Sequence, residues 1–503
     1  MLKIRVVKTG SSAKAVQVVR YQNNRRLIVK HFGSSHTEAQ LDEMLEIAQE
    51  WIKDYSGQLS IFKEDNPNTI LHLEHCSFLG VYHSFFYELI ATLQNQIGFV
   101  KMSHSLLNDL VTIRILEPAS KLRSIELMET YFGIKHTRKN FYKVAPKWLK
   151  LKKEVETKVT DFAKQFYNFD YDLLFYDVTT LYFETFEDDE LRKQGFSKDN
   201  KSQQPQILVA LMVSKEGFPI SYEIFAGNTF EGNTIIPSIQ SFINQHQVAQ
   251  FTVIADAAMI SATNVEASAT NVEALRDNNI HYIVGARLGN VSNELVAQID
   301  KAIFRDDGKS IRLKTINGYL ICSYSKVRYK KDKYEMEKQL EKAKRIIENP
   351  AKNKKVKFTK TDAQTIQLNE KLIEKATKLL GIKGYYTDLE ESQVSNATII
   401  ERYHELYRIE QAFRISKSDL QTRPIFHYKE EPIKLHMLIC FMALVISKHI
   451  ELQTKVSIRK FVTECKKITD ARMLNQITNK EIRIRTRLSP QIAEYLQNLN
   501  APH

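Results

Sequence analysis

Three acidic residues that lie far apart in the chain are the clearest candidates for chemistry. Asp177 stands near the end of the apolar run LLFYDVT, Asp256 ends the run FTVIAD, and Glu410 lies within ERYHELYRIEQAFRISKSDL. An acid at the end of a buried strand is exposed at the edge of its sheet. Two such acids on neighbouring strands, with a third from a helix laid across them, can converge on divalent cations. A pair of Mg²⁺ ions there would polarise a phosphodiester, activate water or a 3′-hydroxyl, and stabilise the leaving oxygen.

The segment around Glu410 strengthens this hypothesis if residues 395–419 form one long helix. Tyr403, Glu410 and Lys417 are spaced by seven residues, so they would share one helical face within about 20°. Arg414 joins that face because it lies four residues after Glu410. A carboxylate for metal, two cations for phosphates and an aromatic ring would then point the same way. The alternative is a solvated face with one weak Glu–Arg pair, since single acids are usually solvated or capping residues.

The elements around the acids predict an α/β fold. From about Tyr171 the chain has an apolar strand containing Asp177, then two β-rich runs joined by Lys-Glu-Gly, as in a hairpin. A helix from about Thr234 follows, then the strand that ends at Asp256, and then the strand HYIVGARL. Three neighbouring strands, a helix, and then strand, helix, strand is the order of a ribonuclease-H-like domain. Residues 290–381 interrupt this order with strand-like runs and a charged helix from 334 to 349.

Net charge indicates a polyanionic partner. The 503-residue chain carries a formal charge of +13, and nucleic acid is the commonest polyanion that such a chain meets. The residues from Lys326 to Lys360 include fourteen Lys or Arg but only five Asp or Glu. We interpret this segment as an arm that follows phosphates, and the alternative is an ordinary solvated helix. From charge alone, a merely basic enzyme is an equally good explanation of the whole chain.

Other patterns concern the compartment and the helical regions. The four cysteines stand far apart and form no CxxC pair, as expected in a reducing cytosol. No signal-peptide core opens the chain, and the apolar run Met437–Ile446 is too short to span a bilayer, so it predicts a buried helix.

Residues 78–165 are expected to be helical. Within them, RILEPASKLRSIELMETYFG fits either a helix-turn-helix-like DNA module or a packed helical bundle.

A short tandem duplication follows the second acid. The heptapeptide SATNVEA occurs at residues 261–267 and again at 268–274. Seven residues make nearly two helical turns, so an added block keeps the helix phase within about 20°. Insertion of such a block is expected either to lengthen a helix by about 10 Å or to loop out.

Several blocks in order resemble one family. YDVTTLYFE, GFSKDNKSQQPQILVALMVSKEGFPISYEIFAGNTFEGNT, IADAAM, HYIVGARL and YHELYRIEQAFRISKSDLQTRPIFH are similar to the DDE transposases of bacterial insertion sequences. The resemblance runs over residues 171–450, to the group with a β-rich insertion before the last Glu. It implies Asp177, Asp256 and Glu410 as the catalytic triad and as ligands of two Mg²⁺ ions, with Mn²⁺ as a substitute.

The same resemblance implies the substrate and the residues that contact it. The substrate would be double-stranded DNA, namely the inverted repeats at the element ends and the target, and the protein would pair the ends as a homodimer in the bacterial cytosol. The family signature on the last helix is Tyr, two residues, Arg, three residues, Glu, six residues, Lys. Tyr403, Glu410 and Lys417 match it, but Leu406 stands at the Arg position. Tyr403, Arg414 and Lys417 are therefore the expected DNA-binding residues, and Arg414 is preferred to Arg408 because Arg408 points about 160° away from Glu410.

Two alternatives to a transposase remain at this point. One is a ribonuclease-H-fold nuclease that cuts DNA but does not join it. The other is a catalytically inactive DNA-binding copy, disabled by the SATNVEA duplication. No GxxxxGK[ST] loop and no HxExxH-type zinc spacing occurs, so neither an ATP-driven motor nor a zinc enzyme is indicated.

The predicted fold class is thus α/β, with a ribonuclease-H-like catalytic core interrupted by a β-rich insertion and preceded by a mostly helical region. The predicted segments are a β/α segment (1–60), a helical region expected to bind DNA ends (61–165), the first part of the core (166–290), the basic β-rich and helical insertion (291–380), the second part of the core (381–450) and a helical C-terminal tail (451–503).

Overall fold

The computed structural model describes residues 2–22, 25–55, 76–102, 105–201, 203–248, 250–257, 265–316, 318–348, 356–362, 365–476 and 479–501. The first elements are β1 (Leu2–Lys8), β2 (Lys14–Gln22), β3 (Arg25–Ser35), α1 (Glu38–Tyr55), β4 (Cys76–Tyr82), α2 (Ser84–Ile97), α3 (Phe99–Met102), α4 (Ser105–Leu116), α5 (Lys121–Phe132), α6 (Arg138–Trp148), α7 (Lys152–Tyr167), β5 (Leu173–Tyr182), β6 (Gln206–Ser214), β7 (Pro219–Ala226), α8 (Ile235–His246), β8 (Phe251–Ala255), α9 (Val265–Asp277) and β9 (Ile280–Ala286). The later elements are α10 (Asn293–Ile303), β10 (Ser310–Thr315), β11 (Gly318–Tyr324), α11 (Lys326–Glu348), β12 (Thr359–Asp362), β13 (Thr365–Leu368), α12 (Glu370–Lys378), β14 (Ile382–Thr387), α13 (Asn396–His404), α14 (Tyr407–Arg414), a π-helical turn (Ile415–Asp419), α15 (Glu430–Thr454), α16 (Ile458–Cys465), β15 (Asp470–Asn475), β16 (Lys480–Arg485) and α17 (Pro490–Asn498).

The chain divides into two compact units. The smaller unit comprises residues 1–86, 130–133 and 465–489, and the larger comprises 87–129, 134–464 and 490–503. In the smaller unit, β1, β2 and β3 form an antiparallel sheet that packs on α1 through a core including Val18, Phe32 and Met44. This confirms the strands and the helix expected near the N-terminus. A second sheet of the same unit has the order β16-β15-β4.

The larger unit is built on a mixed sheet. Within the described residues its eight strands have the order β10-β11-β14-β9-β8-β5-β6-β7. β6 is antiparallel to both β5 and β7, whereas β8 is parallel to both β5 and β9. The α/β class and the predicted sequence of strands and helices from 171 to 286 are confirmed.

Burial explains why these segments form strands. All nine residues of β6 are buried, as expected for a central strand covered on both faces. The turn to β7 contains Lys-Glu-Gly, and Gly217 adopts a φ of +82° that favours glycine. The hairpin predicted from this tripeptide is therefore present.

The insertion extends the same sheet. β10 pairs with β11, β11 pairs with β14, and β14 pairs with β9, all antiparallel. The strand-like runs expected within residues 290–381 are confirmed as β10 and β11, although their pairing with the core sheet through β14 was not predicted. The charged helix α11 begins eight residues earlier than the predicted Tyr334.

Helices fill the N-terminal region of the larger unit. Every residue of α4 from Leu106 to Leu116 is buried, and α4 packs against α15. α4 is therefore the buried member of a packed helical bundle. α15 is long and apolar enough to cross a membrane, but 94% of its most apolar stretch is buried inside the protein, as in the core helix of a globular domain. The buried helix predicted at 437–446 is confirmed.

Three expectations about helices are wrong. Residues 78–82, expected to begin a helical region, lie in strand β4 (Cys76–Tyr82), which pairs with β15. Residues 395–419 do not form one regular helix, because i→i−3 hydrogen bonds such as Leu406 N–H to Tyr403 C=O tighten the chain between α13 and α14. The π-helical turn then changes the phase again. The C-terminal tail is not wholly helical either, since residues 470–485 form the β15–β16 hairpin. The alternating pattern KEIRIR supports a strand rather than a helix there.

Candidate active site

The register of two parallel strands brings the first two acids side by side. The last paired residues of β5 and β8 are Tyr176 and Ala255, and the next residue on each strand is Asp177 and Asp256. Neighbouring strands are about 4.8 Å apart, and in-register residues of parallel strands point to the same face. The sequence placed Asp177 at or near the end of its strand, but this is wrong, because β5 remains paired with β6 as far as Tyr182. Asp177 marks the end of the β5–β8 pairing.

Asp177 is a partly buried carboxylate with like charges nearby. Its side chain is 19% exposed, and its Oδ1 accepts the backbone N–H of Val178 at 2.7 Å. Burial raises the pKa of Asp177 to about 6, and the negative charges of Glu231 and Asp256 act in the same direction. The ammonium group of Lys198 opposes this shift. The two predicted acids are therefore close enough to repel each other.

Tyr403 holds the second acid. Asp256 is exposed, and its Oδ1 accepts the N–H of Ala257 at 2.7 Å and the hydroxyl of Tyr403 at 3.1 Å. The ring of Tyr403 is buried and meets Tyr385 edge to face at 4.8 Å. Burial and the charge of Asp256 raise the pKa of Tyr403, so its phenol stays protonated and donates. Tyr403 thus orients a carboxylate rather than presenting an open ring.

Glu410 lies on α14 with its side chain exposed, and its charge acts on Lys383, as does that of Asp256. Burial lowers the pKa of Lys383 on β14, while the negative charges of Asp256 and Glu410 oppose that shift. The Lys383 ammonium also lies 4.6 Å from the ring centroid of Tyr403. The second and third acids are therefore both near enough to Lys383 for their charges to act on it.

A divalent cation fits this arrangement electrostatically. Carboxylate oxygens are the ligands that Mg²⁺ prefers. Burial of its charge, and to a smaller extent the charges of Glu231 and Asp256, raise the pKa of Asp177, and a bound cation would offset these effects. Among the described residues, no three Asp, Glu, His or Cys side chains stand close enough together to hold one ion. The charges of Asp177 and Asp256 act on each other, and the charges of Asp256 and Glu410 both act on Lys383, but among the described residues the three acids do not form a closed cage.

Two residues of the site, Lys198 and Glu231, were not predicted from the sequence. The Lys198 ammonium donates to the carbonyl of Val178 at 2.5 Å and lies 3.0 Å from Glu231 Oε1 and 3.9 Å from Asp177 Oδ1. Lys198 comes from the loop between β5 and β6, and Glu231 from the turn after β7. Both belong to blocks that carry the family resemblance, GFSKDN and TFEGNT, but no periodicity distinguishes them.

The two cations predicted to bind phosphate, Lys417 and Arg414, lie near different charged groups. Lys417 is 13% exposed and lies 3.5 Å from Asp199 Oδ2, which Arg423 also contacts. Arg414 is exposed, and its positive charge helps to lower the pKa of Lys448, for which burial is the main cause. Because the helix is irregular, Tyr403 and Lys417 contact different acids instead of lining one continuous face.

Leu406, which stands where the family signature has Arg, lies in the core. Leu406 is 8% exposed, so an apolar residue suits this site. Arg408, the less favoured substitute, forms an ion pair with Glu405 at 2.7 Å. Arg414 remains the exposed arginine of α14.

The basic helix of the insertion is open to solvent. In α11, which has nine Lys or Arg, Ala343 is the buried residue. Some of its cations are paired along the helix, as in Arg328–Asp332 at 3.2 Å and Arg345–Glu341 at 3.7 Å. Lys330 and Lys331 are exposed, and they project charge that a polyanion can meet.

Comparison with protein families identifies a match. A family model described as the transposase DDE domain matches residues 168–446, which is more than half of the chain. This range contains Asp177, Asp256 and Glu410 together with the whole eight-stranded sheet of the described residues. A search of curated proteins found no match to the chain.

Proposed function

Because the chain belongs to the DDE transposase family, in its insertion-sequence type, we propose that it mobilises its own element. It binds the terminal inverted repeats and catalyses metal-dependent DNA cleavage followed by strand transfer. The observation that carries this proposal is the register of β5 and β8, which sets Asp177 beside Asp256.

Strand order supports a ribonuclease-H-like core. β7, β6 and β5 are consecutive antiparallel neighbours, and β8 and β9 follow on the other side of β5 in parallel. In this scheme the first acid lies on the central strand and the second directly after its parallel neighbour. Both therefore face the same side of the sheet.

We assign Asp177, Asp256 and Glu410 as ligands of two Mg²⁺ ions, for which Mn²⁺ can substitute. The bound ions supply Lewis-acid activation of the phosphodiester and of the attacking hydroxyl. Tyr403 fixes the orientation of Asp256 through its 3.1 Å hydrogen bond. Lys383 supplies a positive charge that acts on both Asp256 and Glu410, and it offsets part of their negative charge before DNA arrives.

DNA contacts are assigned to cations beside the acids and on the insertion. Lys417 and Arg414 are proposed to hold phosphates near the cleaved bond, and the exposed lysines of α11 to follow the flanking duplex. Tyr403 contributes chiefly through Asp256, since its buried ring leaves little surface for a base. Pairing of two element ends requires a homodimer, and the bacterial cytosol is the proposed compartment.

The test is a cleavage assay with the purified chain, Mg²⁺ and DNA carrying its own element ends. Products are separated on denaturing gels, which resolve nicks, hairpins and joined strands. We expect Asp177→Asn to bind DNA normally but to cleave it at least about a thousandfold more slowly, because several kcal/mol of metal-derived stabilisation is lost.

Asp172→Asn is the matched control, because Asp172 is exposed just before β5 and away from the acids. It should cleave like the unsubstituted protein. Undiminished cleavage by Asp177→Asn would refute the metal role. Cleavage without joined products would instead identify a nuclease, and DNA binding without cleavage would identify an inactive copy.

A further inference from the structure

Lys198 connects two carboxylates at the proposed metal site. Its ammonium lies 3.0 Å from Glu231 Oε1 and 3.9 Å from Asp177 Oδ1, and it donates to the Val178 carbonyl at 2.5 Å. All three charged side chains are at least two-thirds buried. A positive charge therefore already lies near two carboxylates of the proposed metal site.

The loop that carries Lys198 is anchored independently of this contact. The backbone N–H of Lys198 donates to the hydroxyl of Thr180 at 3.2 Å, and the next residue, Asp199, contacts both Lys417 and Arg423. The loop backbone is thus held on both sides. Only the flexible four-carbon stem of Lys198 has to move for its ammonium to leave.

An ammonium group and a divalent cation compete for the same oxygen atoms. Mg²⁺ binds carboxylate oxygen at about 2.1 Å, so an ion held by Asp177 would come within a few ångströms of the Lys198 ammonium. Two cations at that distance repel each other strongly in a partly buried site. The lysine and the metal ion cannot both occupy this place.

We propose that Lys198 is an internal substitute for the metal ion. In the metal-free protein its ammonium joins Asp177 to Glu231 and keeps the acids assembled, and it withdraws when a divalent ion binds to Asp177. Lys198 is then a positioning residue that tunes metal affinity. This inference rests on the proposed function, because it takes Asp177 to be a metal ligand.

The experiment measures Mn²⁺ binding to the full-length protein without DNA, by electron paramagnetic resonance of the free ion. Lys198→Met keeps the length of the side chain but removes its charge. We expect it to bind Mn²⁺ on the order of ten- to a hundredfold more tightly than the unsubstituted protein, because the competing charge is gone. Without metal it should melt at a lower temperature than the unsubstituted protein, and Mn²⁺ should raise its melting temperature more.

Lys201→Met is the matched control, since Lys201 lies in the same loop with its ammonium 5.4 Å from the ring centroid of Tyr182. It should bind Mn²⁺ like the unsubstituted protein. Lys198→Arg keeps the charge and should bind Mn²⁺ no more tightly than the unsubstituted protein. Lys198→Gln replaces the methionine variant if that variant does not fold.

The outcomes separate this inference from the proposed function. Equal or weaker Mn²⁺ binding by a folded, uncharged Lys198 variant would overturn the role of Lys198 and leave the metal site standing. Lys198→Met should no longer tighten Mn²⁺ binding in a chain that also carries Asp177→Asn. If it still does, the role of Lys198 is overturned, because the increase in affinity would not depend on Asp177. Failure of every variant to bind Mn²⁺ would overturn both the inference and the metal-dependent function.

Discussion

Replacing Gly285 with alanine is expected to disable the site without changing any acid. A Cβ atom at Gly285 on β9 would lie 2.5 Å from the hydroxyl oxygen of Tyr403 and 3.1 Å from Cβ of Ala257. Real Cβ atoms essentially never approach another heavy atom to within 3.0 Å, so one of these groups has to move. The Tyr403 hydroxyl is the group that yields, and its 3.1 Å hydrogen bond to Asp256 is lost or distorted.

The expected magnitudes follow from that contact. A hydrogen bond to a charged group contributes about 1.5–3 kcal/mol, and overpacking of a buried site costs about 1–3 kcal/mol. We expect Gly285→Ala to lose about 2 kcal/mol in free energy of unfolding, measured in urea. The rate of first-strand cleavage should fall about a hundredfold, as expected when a catalytic group is displaced by roughly 1 Å.

Two further variants isolate the mechanism. Gly289→Ala is the matched control, because a Cβ atom there meets no atom within 4 Å, and its stability and cleavage rate should be unchanged. Tyr403→Phe removes the hydroxyl with which the added methyl group at position 285 would clash. Gly285→Ala should therefore cost much less in that background than in the unsubstituted protein. Additive losses in the double variant would refute the clash with Tyr403 as the cause.

Three other predictions concern charge and the duplicated block. Burial lowers the pKa of Lys121 to about 7, with Arg114 adding to the shift, and its ammonium lies 2.5 Å from His427 Nε2. Between pH 7 and 10.5 the unfolded chain binds more protons than the folded one, so stability rises with pH there. Lys121→Met should therefore stabilise by about 3–5 kcal/mol below pH 7 and by less than about 1 kcal/mol near pH 10, measured by urea unfolding. Lys330→Gln with Lys331→Gln should lower the salt dependence of DNA affinity by about two in the log–log slope, measured by fluorescence anisotropy, whereas an unchanged slope would exclude phosphate contacts from both residues. Deleting one SATNVEA copy should leave cleavage unchanged or raise it, and a sharp loss would show that the duplicated block is functional.

The core strands could be predicted because local sequence determines them. β6 and β7 are apolar, β-rich runs joined by a tripeptide with a glycine at its turn, and both acids were found because they follow apolar runs. The end of β5 was misplaced because pairing with β6 decides where that strand stops. Such pairing joins residues that are distant in sequence and leaves no local pattern.

The remaining parts of the site depend on long-range contacts. The tightened turn at Leu406 contains neither Gly nor Pro, so nothing in the local sequence interrupts the predicted helix. Lys198 and Glu231 lie in loops, where residues have no periodicity that reveals their direction. The pairing of Lys417 with Asp199 likewise joins residues more than two hundred positions apart.

The heptapeptide copy at 261–267 lies partly outside the described residues, and the second copy lies in α9.

The pairing of β14 with β9 has a consequence during synthesis on the ribosome. β9 ends at Ala286 and its antiparallel neighbour begins at Ile382, so about a hundred residues must be translated before that edge is covered. At about 5–20 residues per second, the edge of the nascent sheet stays open for roughly 5–20 s. The open edge of β9, which contains the apolar run YIV, can then pair with strands of other chains. Premature termination within the insertion should therefore yield aggregates, and early chaperone engagement should favour soluble protein.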